Sequence, residues 1–278
     1  MVTIPKFQSE IFLNAMKEHK INLLCTVPPL MMFLGSHPGV TEEHLASMKT
    51  ITSGAAPLPR KDIIRVLDKF TQKIDFLQLY GLSETSPLAT AMLPGDDNYS
   101  TVGYVVSNTE LRIADSELRS LGPNQVGELL IRGPQVMKGY RNNPEATKGA
   151  ITEDGWFRSG DLASIDEHGV VTIADRLKEL IKVKGYQVAP AELENVLKEH
   201  PNILDAAVVG IPDARTGEAP KAFIVIKDGQ TLDAYSVTSF VSERVAEYKR
   251  IKEVMFVEAL PRNPSGKILR RVLKEKYC

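Results

Sequence analysis

The sequence has few cysteines and almost no net charge. Only Cys25 and Cys278 are cysteines among 278 residues, which excludes a framework of disulfides and favours a reducing compartment. The 34 lysines and arginines nearly balance the 35 aspartates and glutamates, so the net charge of −1 indicates neither a nucleic-acid nor an acidic-membrane partner. The five histidines lack the spacing of metal ligands, and we expect no His/Cys metal site.

Long apolar runs and targeting signals are also lacking. The longest apolar run, residues 25–34, contains two prolines and is too short for a transmembrane helix. We expect no signal peptide at the start and no Ser-Lys-Leu-type peroxisomal signal at the end. A composition of 43% hydrophobic and 25% charged residues is typical of a globular protein and excludes a disordered chain, a collagen or a coiled-coil rod. The expectation is a soluble intracellular protein.

The first 175 residues alternate between helical and strand patterns. Apolar residues recur at helical spacing or in short buried runs, which predicts helices near residues 11–16 and 58–70 and strands at 22–27, 49–52 and 76–80. Such alternation favours an α/β fold with a largely parallel sheet. From residue 101 to 132 the pattern changes to short strands, which predicts a small barrel or sheet.

A second unit follows residue 178, and a helix within it begins with a proline at Pro190. The pattern then predicts strands at 206–211 and 222–226, a helix at 234–248 and a strand at 254–257. This order describes a small α+β domain of about 100 residues, and the length of the chain suits about two domains. We place the two domains at residues 1–177 and 178–278.

Two turns of small or polar residues follow predicted strands. Residues 80–85 (YGLSET) put Ser83 and Glu84 at the carboxyl end of a strand, where open α/β sheets bind ligands and a carboxylate can hold Mg²⁺ beside phosphates. Residues 53–58 (SGAAPL) allow a flat ring to lie on the backbone, and the chain has no Walker phosphate loop. A plain strand-to-loop turn or packing turn is the alternative for each segment.

Three later segments carry charged residues. Asp161 ends the segment GWFRSGD, and its two oxygens can accept two ribose hydroxyls. Residues 176–184 contain four cations separated by apolar residues. Lys267 follows a flexible Pro-Ser-Gly loop and can swing onto a phosphate. Each segment taken singly has an alternative interpretation. Asp161 is then a surface acid, residues 176–184 are a solvated amphipathic strand, and Lys267 is a surface lysine.

The order and spacing of these segments resemble the AMP-forming acyl-CoA synthetases of the adenylate-forming superfamily. The nearest likeness is to the C-terminal half of 4-coumarate–CoA ligases and beetle luciferases. The resemblance covers nearly the whole chain and is carried by SGAAPL (53–58), YGLSET (80–85), GELLIRG (127–133), GYRNNPEAT (139–147), GWFRSGD (155–161), DRLKELIKVKGYQVAPAELE (175–194) and PSGK (264–267).

This resemblance implies a fold and a reaction. The fold is α/β: the C-terminal part of a large adenylate-forming domain, with α/β sheet layers plus a small β-barrel, followed by a small mobile α+β domain. The reaction converts ATP and a carboxylic acid to acyl-AMP and pyrophosphate, and the thiol of coenzyme A then displaces AMP to give a thioester. The implied small molecules are the carboxylic acid, ATP, Mg²⁺ and coenzyme A.

The resemblance also implies roles for individual residues. Nucleotide binding falls to Gly54, Ala55, Ala56, Tyr80, Asp161 and Arg176. The catalytic residues are Lys267 in adenylation, Lys182 in thioester formation and Ser83 at the α-phosphate. Glu84 holds Mg²⁺, Lys178 is the hinge, Lys184 and Gly185 lie on the coenzyme A path, and Pro87 and Leu88 line the acyl pocket.

One part of the family pattern is missing. The phosphate loop of the form SSGTTGxPKG, which precedes the adenine segment in the family, has no counterpart here. We therefore expect a fragment of a longer product or a truncated paralogue that needs its missing N-terminal half or a partner chain, and that alone binds ATP weakly and adenylates slowly or not at all. The alternatives are a non-catalytic nucleotide- or CoA-binding or interaction module and a luciferase-like oxidase. Location is cytoplasmic or, by the resemblance alone, peroxisomal.

Overall fold

A computed structural model describes residues 1–278 and contains three β-sheets with helices packed on them. The helices are α1 (Ser9–Glu18), α2 (Pro28–Ser36), α3 (Glu42–Leu45), α4 (Arg60–Leu67), α5 (Pro144–Ala150), α6 (Pro190–Glu199), α7 (Ala234–Ser242) and α8 (Arg270–Tyr277). Short 3-10 helices span Ser83–Thr85, Leu177–Glu179 and Glu247–Lys249. The strands are β1 (Leu23–Thr26), β2 (Thr50–Ser53), β3 (Asp75–Gly81), β4 (Leu88–Ala91), β5 (Tyr104–Val105), β6 (Glu110–Ala114), β7 (Gly127–Arg132), β8 (Phe157–Ile165), β9 (Val171–Arg176), β10 (Ile181–Val183), β11 (Tyr186–Val188), β12 (Ile203–Asp213), β13 (Gly217–Ile226) and β14 (Glu253–Phe256).

The first sheet has the order β1-β2-β3-β4-β5, with β1, β2 and β3 parallel and the last two strands antiparallel. Its core joins α1, α2 and α4 to the middle strands, with Phe12, Met31, Ile63 and Phe76 all buried. The predicted α/β class is confirmed, and the carboxyl ends of the parallel strands meet at one edge, where ligands bind in such sheets.

Helix α2 begins at two prolines inside the longest apolar run. Sequence reasoning treated Pro28 and Pro29 as an interruption of that run and predicted no helix there. Proline suits the first helical positions, because the N–H groups it lacks have no intrahelical acceptor in the first turn. Met31 and Leu34 then fall on the buried face.

The second sheet is antiparallel with the order β6-β7-β8-β9. The barrel expected for this part of the chain is wrong, because β6 and β9 are the two edges of an open sheet and do not pair. Four short strands are too few to close around a filled interior. The core of this sheet holds Leu129, Ile131, Phe157 and Val171, and the sole tryptophan, Trp156, is also buried.

The third sheet is built around the long hairpin of β12 and β13. Alternating residues of these strands face opposite sides: Val208 and Ile224 pack with α6 and α7, whereas Val209 and Phe223 pack with α8. The predicted order of helix, two strands, helix and strand is confirmed. Helix α8 lies in the basic C-terminal stretch, for which no helix was predicted.

Helix α7 ends at Ser242, six residues before the predicted end at 248. The hydroxyl of Ser242 donates to the carbonyl of Ser239 at 2.9 Å, and the guanidinium of Arg244 donates to the carbonyl of Phe240 at 2.8 Å. Side-chain donors therefore satisfy carbonyls of the last turn, and the backbone leaves the helix without losing those bonds.

The end of β3 requires a residue without a side chain. A Cβ at Gly81 would lie 1.7 Å from the carbonyl oxygen of Pro87, whereas one at Gly122 would have no atom closer than 3.9 Å. We expect Gly81→Ala to lower the free energy of unfolding by about 2 kcal/mol or more, because the Pro87 backbone must move. Urea unfolding followed by Trp156 fluorescence measures this. Gly122→Ala is the control, and equal stability of the two variants would contradict the packing.

Candidate functional site

A large open cleft of about 1300 Å³ lies at the carboxyl ends of the parallel strands. Residues of both predicted domains line it. They come from the ends of β1 to β3, the start of β8, the 3-10 helix at Leu177–Glu179 and the loop before α8. The strand ends supply mostly backbone and small side chains, and the later segments supply most of the charge.

Asp161 is the most enclosed charged group of the cleft, with 4% of its surface exposed. The hydroxyl of Tyr80, from β3, donates to its Oδ2 at 2.6 Å. The Nε of Arg176, from the end of β9, lies 3.3 Å from its Oδ1. One carboxylate on β8 is thus held by partners from two other strands, in two different sheets.

The electrostatics of this cluster follow from burial. Burial raises the pKa of Asp161, and the Tyr80 hydrogen bond and the charges of Arg176 and Lys267 oppose that rise. Burial also raises the pKa of Tyr80, and the neighbouring Asp161 charge adds to the effect. Tyr80 therefore stays protonated and acts as a donor toward the carboxylate.

The turn after β3 presents Ser83 and Glu84 to the cleft. The Thr85 side chain organises this turn, since its Oγ1 accepts from the Leu82 N–H at 3.0 Å and lies 2.8 Å from the Pro87 carbonyl oxygen. The hydroxyl of Tyr140 donates to Glu84 Oε1 at 2.8 Å, and this bond raises the pKa of Tyr140.

Lys267 reaches the cleft from a closed loop before α8. Asn263 closes that loop: its N–H donates to the Lys267 carbonyl at 3.0 Å, and its side-chain oxygen accepts from the Lys267 N–H at 2.9 Å. Burial and the nearby Arg176 charge lower the pKa of Lys267, while Glu179 and Asp161 act in the opposite direction.

An ion cluster joins this loop to the segment around Lys178. Arg270, three residues after Lys267, pairs with Glu179 and places its Nη2 2.7 Å from Glu194 Oε1. Glu194 is buried and also accepts from the Val208 N–H at 2.9 Å. Burial raises the pKa of Glu194, and the charge of Arg270 opposes that rise.

Sequence reasoning did not single out Tyr140, Glu179 or Arg270. Tyr140 and Glu179 lie inside segments that carried the resemblance, and Arg270 follows the Lys267 loop. The sequence offered only two signals for a role of these residues in the site: a charged or hydroxyl group, and a position in or near a motif. Their partners are distant in the chain.

The cleft brings together eleven of the fifteen predicted site residues: Gly54, Ala55, Tyr80, Ser83, Glu84, Pro87, Leu88, Asp161, Arg176, Lys178 and Lys267. It does not include Ala56, Lys182, Lys184 or Gly185. Lys182 lies on β10, and Lys184 and Gly185 form the turn between β10 and β11. In this structure the predicted thioester-forming segment is therefore outside the cleft.

The chain has no group of three or more His, Cys, Asp or Glu side chains placed to hold a metal ion. The carboxylate of Glu84 lines the cleft, and Tyr140 occupies only one of its oxygens. A single carboxylate fits an ion that arrives with phosphate oxygens and keeps several waters, as Mg²⁺ does.

Comparison with known families decides the identity of this arrangement. The sequence pattern described as "AMP-binding enzyme" matches residues 1–141, and that of "AMP-binding enzyme C-terminal domain" matches residues 192–267. The chain belongs to the AMP-binding enzyme family. The recognition of an adenylate-forming enzyme from its motifs is thereby confirmed.

This family member is similar to two plant proteins. It is 44% identical to 4-coumarate–CoA ligase-like 2 of Arabidopsis thaliana, over 98% of this chain and 49% of that protein. It is also 44% identical to 4-coumarate–CoA ligase 2 of Nicotiana tabacum, over 100% of this chain and 52% of that protein. The chain thus spans about half the length of these relatives.

The fold of this AMP-binding enzyme family member matches solved structures over its whole length. ATP-bound MatB from Rhodopseudomonas palustris superposes with a TM-score of 0.92 at 33% identity, covering 100% of this chain and 55% of that one. Apo MatB from the same organism, with the same coverage, gives a TM-score of 0.75 at 34% identity.

None of the helices of this structure has both the length and the apolar sequence that crossing a membrane requires.

The Tyr80 hydroxyl has a measurable consequence for stability. We expect Tyr80→Phe to raise the pKa of Asp161 further and to lower the free energy of unfolding at pH 7 by about 1 kcal/mol. A buried acid whose folded-state pKa lies above its unfolded value loses stability as pH rises between the two. The difference from wild type should therefore shrink as pH falls below the folded pKa. Urea unfolding followed by Trp156 fluorescence, over a pH series that runs downward from pH 7, measures it.

Tyr140→Phe is the matched control for this experiment, because it removes a hydroxyl from the exposed Glu84 pair and not from a buried one. We expect a loss of only a few tenths of a kcal/mol there. A Tyr80→Phe effect that stays the same over the whole pH series would contradict the coupling to Asp161.

Proposed function

We propose that this protein works as an AMP-forming acid–thiol ligase: ATP activates a carboxylic acid as acyl-AMP, and coenzyme A then takes the acyl group as a thioester. The observation that carries the proposal is the meeting of Tyr80, Asp161, Arg176 and Lys267 in one cleft at the strand ends. The two relatives are named as a 4-coumarate–CoA ligase-like protein and a 4-coumarate–CoA ligase, and these names support a ligase that forms coenzyme A thioesters. Because the chain spans about half their length, the activity is proposed for the protein at that length.

Asp161 would bind the ribose of the nucleotide. A carboxylate has about four acceptor positions, and Tyr80 and Arg176 use two of them. The remaining positions suit two hydroxyl donors on adjacent carbons. Gly54 and Ala55 line the same cleft and would face the adenine ring, because small residues let a flat base approach the backbone.

The turn after β3 would serve the phosphates. Ser83 would donate to the α-phosphate, and Glu84 would hold Mg²⁺, which offsets phosphate charge when it is bound. Pro87 and Leu88 follow in the same wall of the cleft and would contact the acyl group. Ala56 lies outside the cleft wall, so only the first two small residues of its segment support an adenine role.

Two lysines would serve the two half-reactions. Lys267 would stabilise the negative charge that develops during adenylation, since a preorganised cation is most effective in a site that excludes water. Thioester formation would follow a rotation about Lys178 that withdraws Lys267 and brings Lys182, Lys184 and Gly185 to the cleft. This proposal places the domain boundary at residues 177 and 178.

A non-catalytic nucleotide- or CoA-binding module is less favoured. All of the charged residues that the reaction needs from this part of the chain are present, and most of them share the cleft. A luciferase-like oxidation has no separate observation in its support. The cytoplasm and the peroxisome remain the proposed compartments.

Binding of an adenylate tests the nucleotide role. We expect a non-hydrolysable acyl-adenosine sulfamate to bind the chain, and Asp161→Ala to weaken that binding at least about tenfold, because two hydroxyl contacts are lost. Titration calorimetry measures the dissociation constants. Asp228→Ala, which removes an exposed acid outside the cleft, is the control. Equal affinity of the two variants would refute the ribose role.

Half-reaction assays test the two lysines in a form of the protein that shows acid-dependent pyrophosphate release. We expect Lys267→Ala to slow acyl-AMP formation about 100-fold while thioester formation from supplied acyl-AMP continues. We expect Lys182→Ala to show the opposite pattern. Pyrophosphate release and coenzyme A consumption report the two steps separately, and equal losses in both steps for either variant would argue against the division of roles.

A further inference from the structure

Helix α6 of the C-terminal part, residues 178–278, contacts the N-terminal part, residues 1–177, at both of its ends. At its start, Asp175 Oδ2 accepts from the Ala191 N–H at 2.9 Å. At its end, the ammonium group of Lys61 donates to the Lys198 carbonyl oxygen at 2.9 Å. An acid thus accepts a hydrogen bond from the first turn of the helix, and a lysine donates one to the last turn.

These contacts match the charge distribution of a helix. The first turn has N–H groups without intrahelical acceptors, and the last turn has carbonyls without donors, so the two ends carry partial positive and negative charge. Asp175 faces the positive end and Lys61 the negative end. Each end of α6 therefore has a partner of complementary charge in the N-terminal part.

The two contacts differ in how they depend on the orientation of the C-terminal part. Asp175 lies only sixteen residues before Ala191 and next to the predicted hinge at Lys178. Lys61 lies 137 residues from Lys198 and belongs to α4. Lys198 lies about 10 Å further along α6 than Ala191. A rotation about the hinge therefore moves the Lys198 end of the helix further than the Ala191 end, and the Lys61 contact is specific to this orientation.

The same orientation inserts the Lys267 loop into the cleft. Gly266 packs against the start of α2 so closely that a Cβ there would lie 2.6 Å from two ring carbons of Pro29. Lys267 then lines the cleft together with Asp161. The Lys61 contact and the Gly266 contact hold the C-terminal part at two separate places on the N-terminal part.

The Lys61 contact is weak enough to be reversible. Its acceptor is a neutral carbonyl, and the charges of Lys198 and Lys227 oppose it from the C-terminal part. Partial burial lowers the pKa of Lys61, and within its own helix Asp62 opposes that shift while Arg65 adds to it. A single hydrogen bond to the last turn of α6 favours this orientation by a small free energy and leaves other orientations accessible.

We propose that Lys61 is a positioning residue that stabilises the orientation in which Lys267 faces the cleft, by holding the last turn of α6. The ATP-bound and apo structures of MatB differ in their likeness to this chain, with TM-scores of 0.92 and 0.75. The bias in orientation is independent of any activity. Its consequence for adenylation rests on the proposed function.

Distances between spin labels test the orientation directly. In a Cys25→Ser background, one label goes on Glu10→Cys, an exposed position of α1, and the other on the native, exposed Cys278. We expect the parent chain to populate the distance of this structure, and Lys61→Met to shift the ratio of orientations about three- to tenfold away from it. Lys61→Gln is a second variant that removes the charge.

Two controls separate this effect from a loss of structure. Lys61→Arg keeps a cationic donor and should retain most of the parent distribution, and Lys49→Met removes an exposed lysine that makes no contact with the C-terminal part and should leave it unchanged. Circular dichroism and Trp156 fluorescence establish that each variant is folded. The proposal is overturned if both charge-removing variants keep the parent distribution, or if Lys49→Met shifts it equally.

The reaction provides a second readout. In a form with adenylation activity, we expect Lys61→Met to slow acyl-AMP formation about three- to tenfold and to leave thioester formation from supplied acyl-AMP unchanged or faster. A residue that only stabilised the fold would lower both rates, and that result would reject the positioning role. Failure of adenylate binding would overturn the proposed function and leave the distance experiment to decide the orientation.

Discussion

Burial of the Asp161 carboxylate is the constraint on which the site depends. An ionised carboxylate removed from water is costly unless other groups replace its hydration. Tyr80 comes from the first sheet and Arg176 from the second, so satisfying this one group fixes the two sheets relative to each other. The position of the residues that line the cleft around Asp161 therefore depends on its hydrogen bond and ion pair as well as on apolar packing.

The charged groups of the cleft come from both parts of the chain. Burial lowers the pKa of Lys267, the nearby positive charge of Arg176 adds to that effect, and Glu179 and Asp161 act in the opposite direction. An anion placed between the two cations relieves their repulsion. Because Lys267 belongs to the C-terminal part, the proposed rotation of that part would remove one of these cations from the cleft.

The motifs that line the cleft were predictable from the sequence. The turn at 80–85 lies at a strand end, Lys267 lies in a loop and Asp161 lies in the middle of β8, and all three line one cleft. The closed barrel was predicted wrongly, since strand patterns show that strands exist and not whether their edges pair. Helix α2 was missed because its prolines were taken as breaks and not as a helix start.

The sequence by itself determined the family, the α/β class and eleven of the residues that line the cleft, because those depend on local patterns and on motif order. Only the tertiary structure decided the partners of Asp161, the ion pairs of Arg270 and the contact between Lys61 and helix α6. These contacts join residues tens to more than a hundred positions apart, and no local pattern encodes them. They arise from how the sheets and the C-terminal part pack together.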